Sequence, residues 1–142
     1  MHLNVLKLDI ELPTPKRAHP SDAGLDLYAR YPAQLEPGDH TTVDTGVAVE
    51  IPPGHAGLIL ARSGWAKKHA VGLVNSPGLI DSDYRGELRV VLVNHGRERF
   101  SIARGDRVAQ LVIVPVALPE PRPADELGDT DRGEGGFGSS GR

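Results

Sequence analysis

Two aspartates stand two positions apart in a polar segment, where their carboxylates could act on a bound phosphate. The segment is NSPGLIDSDYRGE, residues 75–87, and the pair is Asp81 and Asp83. A carboxylate near a phosphate can orient or deprotonate a water molecule, and paired carboxylates can instead hold a metal ion. The Pro-Gly step predicts a hairpin that enters a strand over Leu88–Val93, and an extended chain would point both aspartates the same way. Spacing alone leaves open which aspartate matters, or whether both only cap turns in solvent.

A second candidate for anion chemistry follows the short apolar run Gly57–Ala61. Arg62, Ser63 and Gly64 come directly after this run, so we expect them at the end of a strand. An arginine, a hydroxyl group and a glycine can together form a small anion site. The alternative is a turn whose arginine pairs with a surface carboxylate.

Two further polar residues interrupt apolar patterns. Asp26 lies between Leu25 and Leu27, so we expect the leucines to face the core and Asp26 to face the other side of a strand. Gln110 lies inside the run Val108–Val114, where a buried amide must find hydrogen-bond partners. Without a ligand, Asp26 would be an ordinary exposed residue of a strand, and the Gln110 amide would form a hydrogen bond to a neighbouring loop.

The last eleven residues, RGEGGFGSSGR at 132–142, have a composition that does not fold by itself. Ordering eleven glycine-rich residues costs about 10–20 kcal/mol, whereas burial of Phe137 returns only about 2–3 kcal/mol. A polyphosphate could order them, because glycine-rich backbone N–H groups, two serines and Arg132 would donate hydrogen bonds to it. The alternative is a solvated low-complexity tail.

Composition excludes several classes of protein. The net charge of −3 lacks the basic excess typical of nucleic-acid binders, so we expect no nucleic-acid partner. The absence of cysteine excludes disulfides and cysteine-based zinc sites and fits a cytoplasmic protein. No apolar run approaches the roughly 20 residues that span a bilayer, and the first residues lack the pattern of a signal peptide, so we expect no membrane association.

The apolar patterns predict an all-β fold. Alternation predicts strands over 6–12 and 47–51, and Val- and Ile-rich runs predict others at 57–61, 88–93 and 108–114, with turn signals between them. Many short strands favour a sandwich or barrel. The best helical candidate, 63–70, is too short to define the architecture. After Pro115 the chain becomes Pro-rich and polar, which predicts a linker.

Five segments, taken in order, resemble the motifs of the trimeric dUTP pyrophosphatases (dUTPases). They are SDAGLDLYA at 21–29, ARSGWA at 61–66, NSPGLIDSDYRGE at 75–87, RGDRVAQLVIVP at 104–115 and RGEGGFGSSG at 132–141. The resemblance covers nearly the whole chain, and its third and fifth segments are the most specific. Ala61 and Trp65 depart from the common pattern, which has proline and leucine there, at positions that concern packing.

The resemblance implies a fold, a reaction and an assembly. The fold would be a single jelly-roll-like β-barrel over residues 1–118, with a linker over 119–131 and a mobile arm over 132–142 that closes over the active site. The enzyme would hydrolyse dUTP to dUMP and pyrophosphate with Mg²⁺ on the triphosphate, which limits uracil in DNA and supplies dUMP for thymidylate synthesis. Three copies would form a homotrimer with active sites at the subunit interfaces.

The resemblance also implies residue roles around the nucleoside. Asp81, rather than Asp83, would activate the water that attacks the α-phosphorus. Tyr84 would lie under the deoxyribose and exclude a 2′-hydroxyl group. Asn75 and the backbone of its hairpin, including Gly78 and Ile80, would read the uracil.

The remaining implied roles concern the phosphates. Arg62, Ser63 and Gly64 would grip them, Gln110 would contact the α-phosphate region, and Asp26 would hold Mg²⁺ through water. The implied contacts from the arm are those of Arg132, Phe137, Gly138, Ser139 and Ser140, with Phe137 over the uracil.

Two other functions remain open from the sequence. A dCTP deaminase would share the barrel and the trimer but would need a catalytic glutamate and would lack the arm. A non-catalytic trimeric module could bind dUTP without hydrolysing it. The intact Asp81 and Tyr84 argue against such a module.

Overall fold

The structure is a computed structural model that describes residues 1–141. Arg142, the last residue of the predicted arm, lies outside the described residues. The described chain forms strands and one short helix, in the order β1 Asn4–Lys7, β2 Leu25–Tyr28, β3 Ala33–Leu35, β4 His40–Asp44, β5 Val47–Glu50, β6 His55–Leu60, α1 Ser63–His69, β7 Val71–Leu73, β8 Gly78–Ile80, β9 Arg89–Asn94, β10 Phe100–Ile102 and β11 Arg107–Pro115.

The strands pair antiparallel in four small sheets. The largest has the order β2-β11-β6-β8, a second has the order β4-β9-β7, and β1 pairs with β5 and β10 with β3. Side chains from these sheets meet in one aliphatic core that includes Leu27, Leu92 and Leu111, each at most 1% exposed. The all-β prediction is confirmed, and the arrangement fits the predicted jelly-roll-like fold.

Two buried polar side chains lie within this aliphatic core, and both are satisfied. The Asn94 amide donates to Leu35 O at 3.0 Å and to Glu98 O at 2.7 Å, and its oxygen accepts the Gly96 N–H at 2.9 Å. The Thr45 hydroxyl donates to Leu88 O at 2.7 Å. Asn94 thus fixes the turn between β9 and β10 to the end of β3.

The predicted strand over residues 6–12 is wrong in both extent and phase. β1 ends at Lys7, and Val5 in β1 and Leu3 just before it pack against the core. Leu6 and Ile10 are 63% and 83% exposed. The reason is the pairing register of β1 on β5, since a shift of one residue exchanges the two faces of a strand.

The predicted simple hairpin over residues 75–87 is also corrected. β7 pairs with β9 in the three-stranded sheet, whereas β8 pairs with β6 in the four-stranded sheet. The turn at 74–77 therefore crosses from one sheet to another. The Pro-Gly signal identified the turn but carried no information about the partners of its flanking strands.

The short helical candidate is a helix over Ser63–His69, and it follows β6 directly. It ends at Ala70, whose φ of 53° lies in the left-handed region and whose N–H donates to Ala66 O at 3.1 Å. Within residues 1–141, no helix is long and apolar enough to cross a membrane.

Candidate functional site

Asp26 and Gln110 lie side by side on neighbouring strands of the largest sheet. In the antiparallel register Asp26 on β2 faces Gln110 on β11, and Gln110 in turn faces Leu60 on β6. Directly paired residues share one face of a sheet, so all three project to the same side. The Gln110 amide donates to Ala61 O at 3.1 Å, which is the contact to a neighbouring loop that we expect in the absence of a ligand. This contact uses only one of the two N–H bonds of the amide.

A glycine allows the close approach of the Gln110 side chain. A Cβ atom placed on Gly24 would overlap the Gln110 amide oxygen, so any other residue there would displace the amide. The sequence SDAGLD therefore places both a carboxylate and an open backbone position beside Gln110.

Two arginines, Arg62 just after β6 and Arg107 at the start of β11, contact each other near Asp26. Arg62, with an extended backbone before α1, donates from Nη1 to Arg107 O at 3.1 Å. Arg107 Nη1 lies 3.5 Å from Asp26 Oδ2. Arg62 and Arg107, which we call the positive region, thus place two guanidinium groups at this end of the sheet, and guanidinium groups suit a polyanionic ligand.

Aromatic packing fixes the base of this positive region. Trp65 on α1 packs edge to face on Phe100, with ring centroids 4.7 Å apart, and the Arg62 guanidinium lies 5.8 Å from the Trp65 ring centroid. Ser63 and Gly64 stay exposed beside it. Tyr28 is buried next to Asp26, and this burial raises the pKa of its phenol above the usual value.

Asn75 and Gly78 form a second, separate part of the candidate site. The Asn75 amide lies over Gly78, where an added Cβ would stand 3.3 Å from Asn75 Nδ2 and 3.3 Å from the Ile59 side chain. The Asn75 side chain is otherwise exposed, so its hydrogen-bonding groups are accessible to a ligand.

Asp81 and Tyr84 lie on the loop over residues 81–87, which follows β8 and is separated from β9 by Leu88. The loop is turned rather than extended, since the Tyr84 N–H donates to Asp81 O at 3.2 Å. The expectation that Asp81 and Asp83 point the same way assumed an extended chain, and that assumption is wrong. The Tyr84 hydroxyl donates to Glu87 O at 3.0 Å. Its ring lies so close to Gly86 that a Cβ there would overlap it.

Asp81 lies far from Gln110 in one chain. Ile80 pairs with Gly57 on β6, whereas Gln110 pairs with Leu60 near the other end of that strand. Asp81 extends beyond Ile80, so it lies about 13 Å along the strand direction from the Gln110 row. One copy of the chain therefore does not bring Asp81 and Tyr84 to the arginines.

The C-terminal segment, residues 117–141, forms a third group. Within the described chain, no hydrogen bond or ion pair joins it to residues 1–116. Arg132 Nε donates to Gly135 O at 2.7 Å, Gly138 accepts from Gly141, and Ser139 lies beside Gly135. Phe137 is fully exposed, and Ser140 is exposed beside it.

The residues present fit a metal ion only as an outer-shell partner. Among the described side chains, no group of three or more His, Cys, Asp or Glu could hold a metal. Asp26 offers one half-buried carboxylate, which a hydrated cation that is itself bound to phosphates could reach through water. The water-mediated role of Asp26 stays a prediction.

Sequence reasoning missed Arg107, Arg30 and Glu87. Arg107 is the first residue of β11 and pairs with Tyr28 on β2. Only the pairing register of these two strands, which the sequence does not give, would have placed Arg107 near Asp26. Arg30 and Glu87 are 57 positions apart and form an ion pair at 3.2 Å, which nothing in the local pattern of either residue predicts.

The chain is similar to known proteins over nearly its whole length. A family model described as dUTPase matches residues 10–141. A deoxyuridine 5′-triphosphate nucleotidohydrolase from Anaeromyxobacter sp. (strain Fw109-5) is 56% identical over 131 residues, covering 92% of this chain and 89% of that protein.

Solved structures show the same likeness. The Staphylococcus bacteriophage 80alpha dUTPase with dUPNHPP superposes with a TM-score of 0.92 at 32% identity and covers 99% of both chains. A mutant dUTPase from phage phi11 of S. aureus, described as revealing the coordination of a structural Mg(II) ion, has a TM-score of 0.82 at 30% identity, with 89% of this chain and 98% of that chain covered.

Proposed function

The chain belongs to the dUTPase family and hydrolyses dUTP as a dUTP diphosphatase, and from this premise we propose which residues perform each part of the reaction. Water attacks the α-phosphorus, the bond from that phosphorus to the bridging oxygen breaks, and dUMP and pyrophosphate leave. The deaminase and the non-catalytic module are not favoured, because the family match and the neighbour that binds a dUTP analogue both indicate dUTP hydrolysis. In the cell this reaction would limit uracil in DNA and supply dUMP.

Asp81 accepts the proton of the attacking water in this proposal. The carboxylate is exposed, and no described basic side chain forms an ion pair with it, so it is free to act as a general base. The loop that carries it is fixed between β8 and β9. This exposed carboxylate on an anchored loop is the single observation that carries the proposal.

The nucleoside is recognised by the neighbouring groups. Asn75, with the backbone at Gly78 and Ile80, contacts the uracil edge, and Tyr84 lies under the deoxyribose. The accessible Asn75 amide over Gly78 and the constrained Tyr84 ring support these roles. A slot of fixed width rejects the methyl group of thymine and the 2′-hydroxyl group of ribose by shape.

The triphosphate is bound by the positive region. Arg62, Ser63 and Gly64 grip the phosphates, and the second N–H of the Gln110 amide reaches the α-phosphate region. Asp26 would hold a triphosphate-bound Mg²⁺ through water, and the ion would supply charge neutralisation at the phosphates. The structural Mg(II) ion described for the phage phi11 dUTPase supports a divalent cation in this proposal.

Active sites lie at subunit interfaces of a homotrimer in this proposal. The distance of Asp81 and Tyr84 from the arginines supports it, since a second copy would supply the missing part. A half-exposed apolar face of the largest sheet also supports it, because an isolated chain gains nothing from an apolar outer surface. That face contains Leu58, Leu60, Leu79, Val112 and Val114.

The C-terminal segment closes over a bound triphosphate. Arg132, Ser139 and Ser140 donate to the phosphates, the backbone at Gly138 allows close approach, and Phe137 stacks on the uracil. The division into a barrel over 1–118, a linker over 119–131 and a mobile arm over 132–142 stays a prediction, as does a cytoplasmic location.

A substrate panel tests the proposal. The protein is incubated with Mg²⁺ and dUTP, dCTP, dTTP or UTP, and both pyrophosphate and ammonia are measured. We expect rapid pyrophosphate release from dUTP alone and no ammonia from dCTP. Ammonia from dCTP, or stoichiometric dUTP binding without turnover, would contradict it.

A further inference from the structure

The loop over residues 81–87 is fixed at its C-terminal end by a carboxylate that no step above uses. Glu87 Oε1 accepts the Gly46 N–H at 2.8 Å and lies 3.2 Å from Arg30 Nη1, and Oε2 lies 3.4 Å from the same nitrogen. The Glu87 side chain is only 12% exposed, so solvent screens this pair less than a surface ion pair.

Arg30 is itself held from its other side. Its Nη2 donates to Leu8 O at 3.4 Å, and its Nε lies 3.7 Å from Asp9 Oδ2. Arg104 donates to Asp9 and to Arg30 O, both at 2.7 Å. Arg30 is therefore a fixed partner for Glu87 rather than a mobile surface cation.

The backbone of Glu87 then contacts the proposed sugar-binding residue. The Tyr84 hydroxyl donates to Glu87 O at 3.0 Å, and Gly86 leaves no side chain to separate the ring from the loop. Any movement of the Glu87 carbonyl therefore moves the hydroxyl end of Tyr84.

We infer that the Glu87 carboxylate, held by Arg30 and the Gly46 N–H, is a positioning group that sets the Tyr84 ring at the distance from the deoxyribose that excludes a 2′-hydroxyl group. This inference rests on the proposed role of Tyr84. Glu87 and Arg30 touch no substrate in it, and they act only through the loop. Small displacements of a positioned group can change rates about a hundredfold, so a loosened loop has a measurable effect.

The test is the ratio of kcat/KM for dUTP to kcat/KM for UTP. A variant that is only less stable contains a smaller fraction of active enzyme. This lowers both values by the same factor, so the ratio does not change. Glu87→Gln keeps an acceptor for the Gly46 N–H but loses the charge that pairs with Arg30. We expect it to lower the ratio about three- to tenfold, with a higher KM for dUTP and kcat changed less than about twofold.

Glu36→Gln is the matched control. It removes a carboxylate that pairs with Arg99 on the surface, away from the loop, and we expect an unchanged ratio. Arg30→Lys should lower the ratio, because one ammonium cannot replace the forked contacts of a guanidinium, but less than Glu87→Gln does, because the positive charge that faces Glu87 is kept.

A double variant shows whether Glu87 acts through Tyr84. Tyr84→Phe removes the hydrogen bond to Glu87 O, so adding Glu87→Gln to it should lower the ratio further by less than twofold. If the effects of Tyr84→Phe and Glu87→Gln on the ratio were fully additive, the positioning role alone would be overturned. The same holds if Glu87→Gln leaves the ratio unchanged while Tyr84→Ala lowers it. An unchanged ratio in Tyr84→Ala would overturn both the sugar-binding role and this inference.

Discussion

The body of the protein, residues 1–116, and the C-terminal segment, residues 117–141, both carry proposed site residues, but they hold them differently. In the body, strand register and hydrogen bonds fix each group, as with Asp26 opposite Gln110 and the Tyr84 hydroxyl on Glu87 O. In the described part of the segment, the hydrogen bonds are local turns, and Phe137 makes no packed contact with the core.

In the proposed function, this difference divides recognition into two steps. The body presents groups that are already placed, so base and sugar can be selected by shape before chemistry. In the proposed function, the segment is ordered by its ligand, and a triphosphate offers more anionic acceptors for that than dUMP does. The proposed closure would then be coupled to the presence of substrate, and the product would be released because it cannot keep the segment ordered.

The largest expected effect comes from the body. Asp81→Asn should bind dUTP but lower kcat on the order of a thousandfold, because the amide cannot accept the proton of the attacking water. Pyrophosphate release and an equilibrium binding measurement would separate the two effects. Asp83→Asn is the matched control and should stay near wild type. Full turnover by Asp81→Asn would refute its role.

Removal of residues 132–142 should lower kcat/KM for dUTP on the order of a hundredfold, because the arm's donors to the phosphates are lost and water is no longer excluded. The melting temperature should not change, since no described hydrogen bond ties the segment to the body. Activity and thermal unfolding measured on the same preparation check both statements. A fully active truncated protein would remove the distinction between the two regions.

The sequence predicted the parts of the molecule that depend on local pattern. The all-β class, the position of Arg62 at a strand end and the need of the Gln110 amide for a hydrogen-bond partner all follow from periodicity and hydrogen-bond accounting. The partners of β7 and β8 could not be predicted, because a turn signal does not specify with which strands the segments on its two sides will pair. The Arg30–Glu87 pair could not be predicted either, because it depends on two loops meeting in three dimensions.

Asn94 tests the rigidity of the body. Asn94→Ala leaves Leu35 O, Glu98 O and the Gly96 N–H without their partner in a fully buried position, and it should lower the free energy of unfolding by about 2 kcal/mol. Urea denaturation measures this loss. Asn75→Ala is the matched control at an exposed position and should keep wild-type stability while it weakens dUTP binding. Equal stability of the two variants would show that buried hydrogen bonds do not fix this part of the body.

The smallest expected effect concerns how the body holds its own N-terminal segment. The hydrogen bond from Arg104 lowers the pKa of Asp9 below its ordinary value of 3.8, although partial burial opposes this. The unfolded chain therefore takes up a proton first as the pH falls, so the stabilisation from Asp9 is complete above 3.8 and is lost below it. Asp9→Asn should lower the urea midpoint slightly at pH 7, and the difference from wild type should shrink near pH 3.

Asp129→Asn, in the C-terminal segment, should have the wild-type midpoint at both pH values, since no described group pairs with Asp129. A difference for Asp9→Asn that grows towards acid would show that Asp9 is not stabilised as a carboxylate, and that this contact does not fix the N-terminal segment to the body.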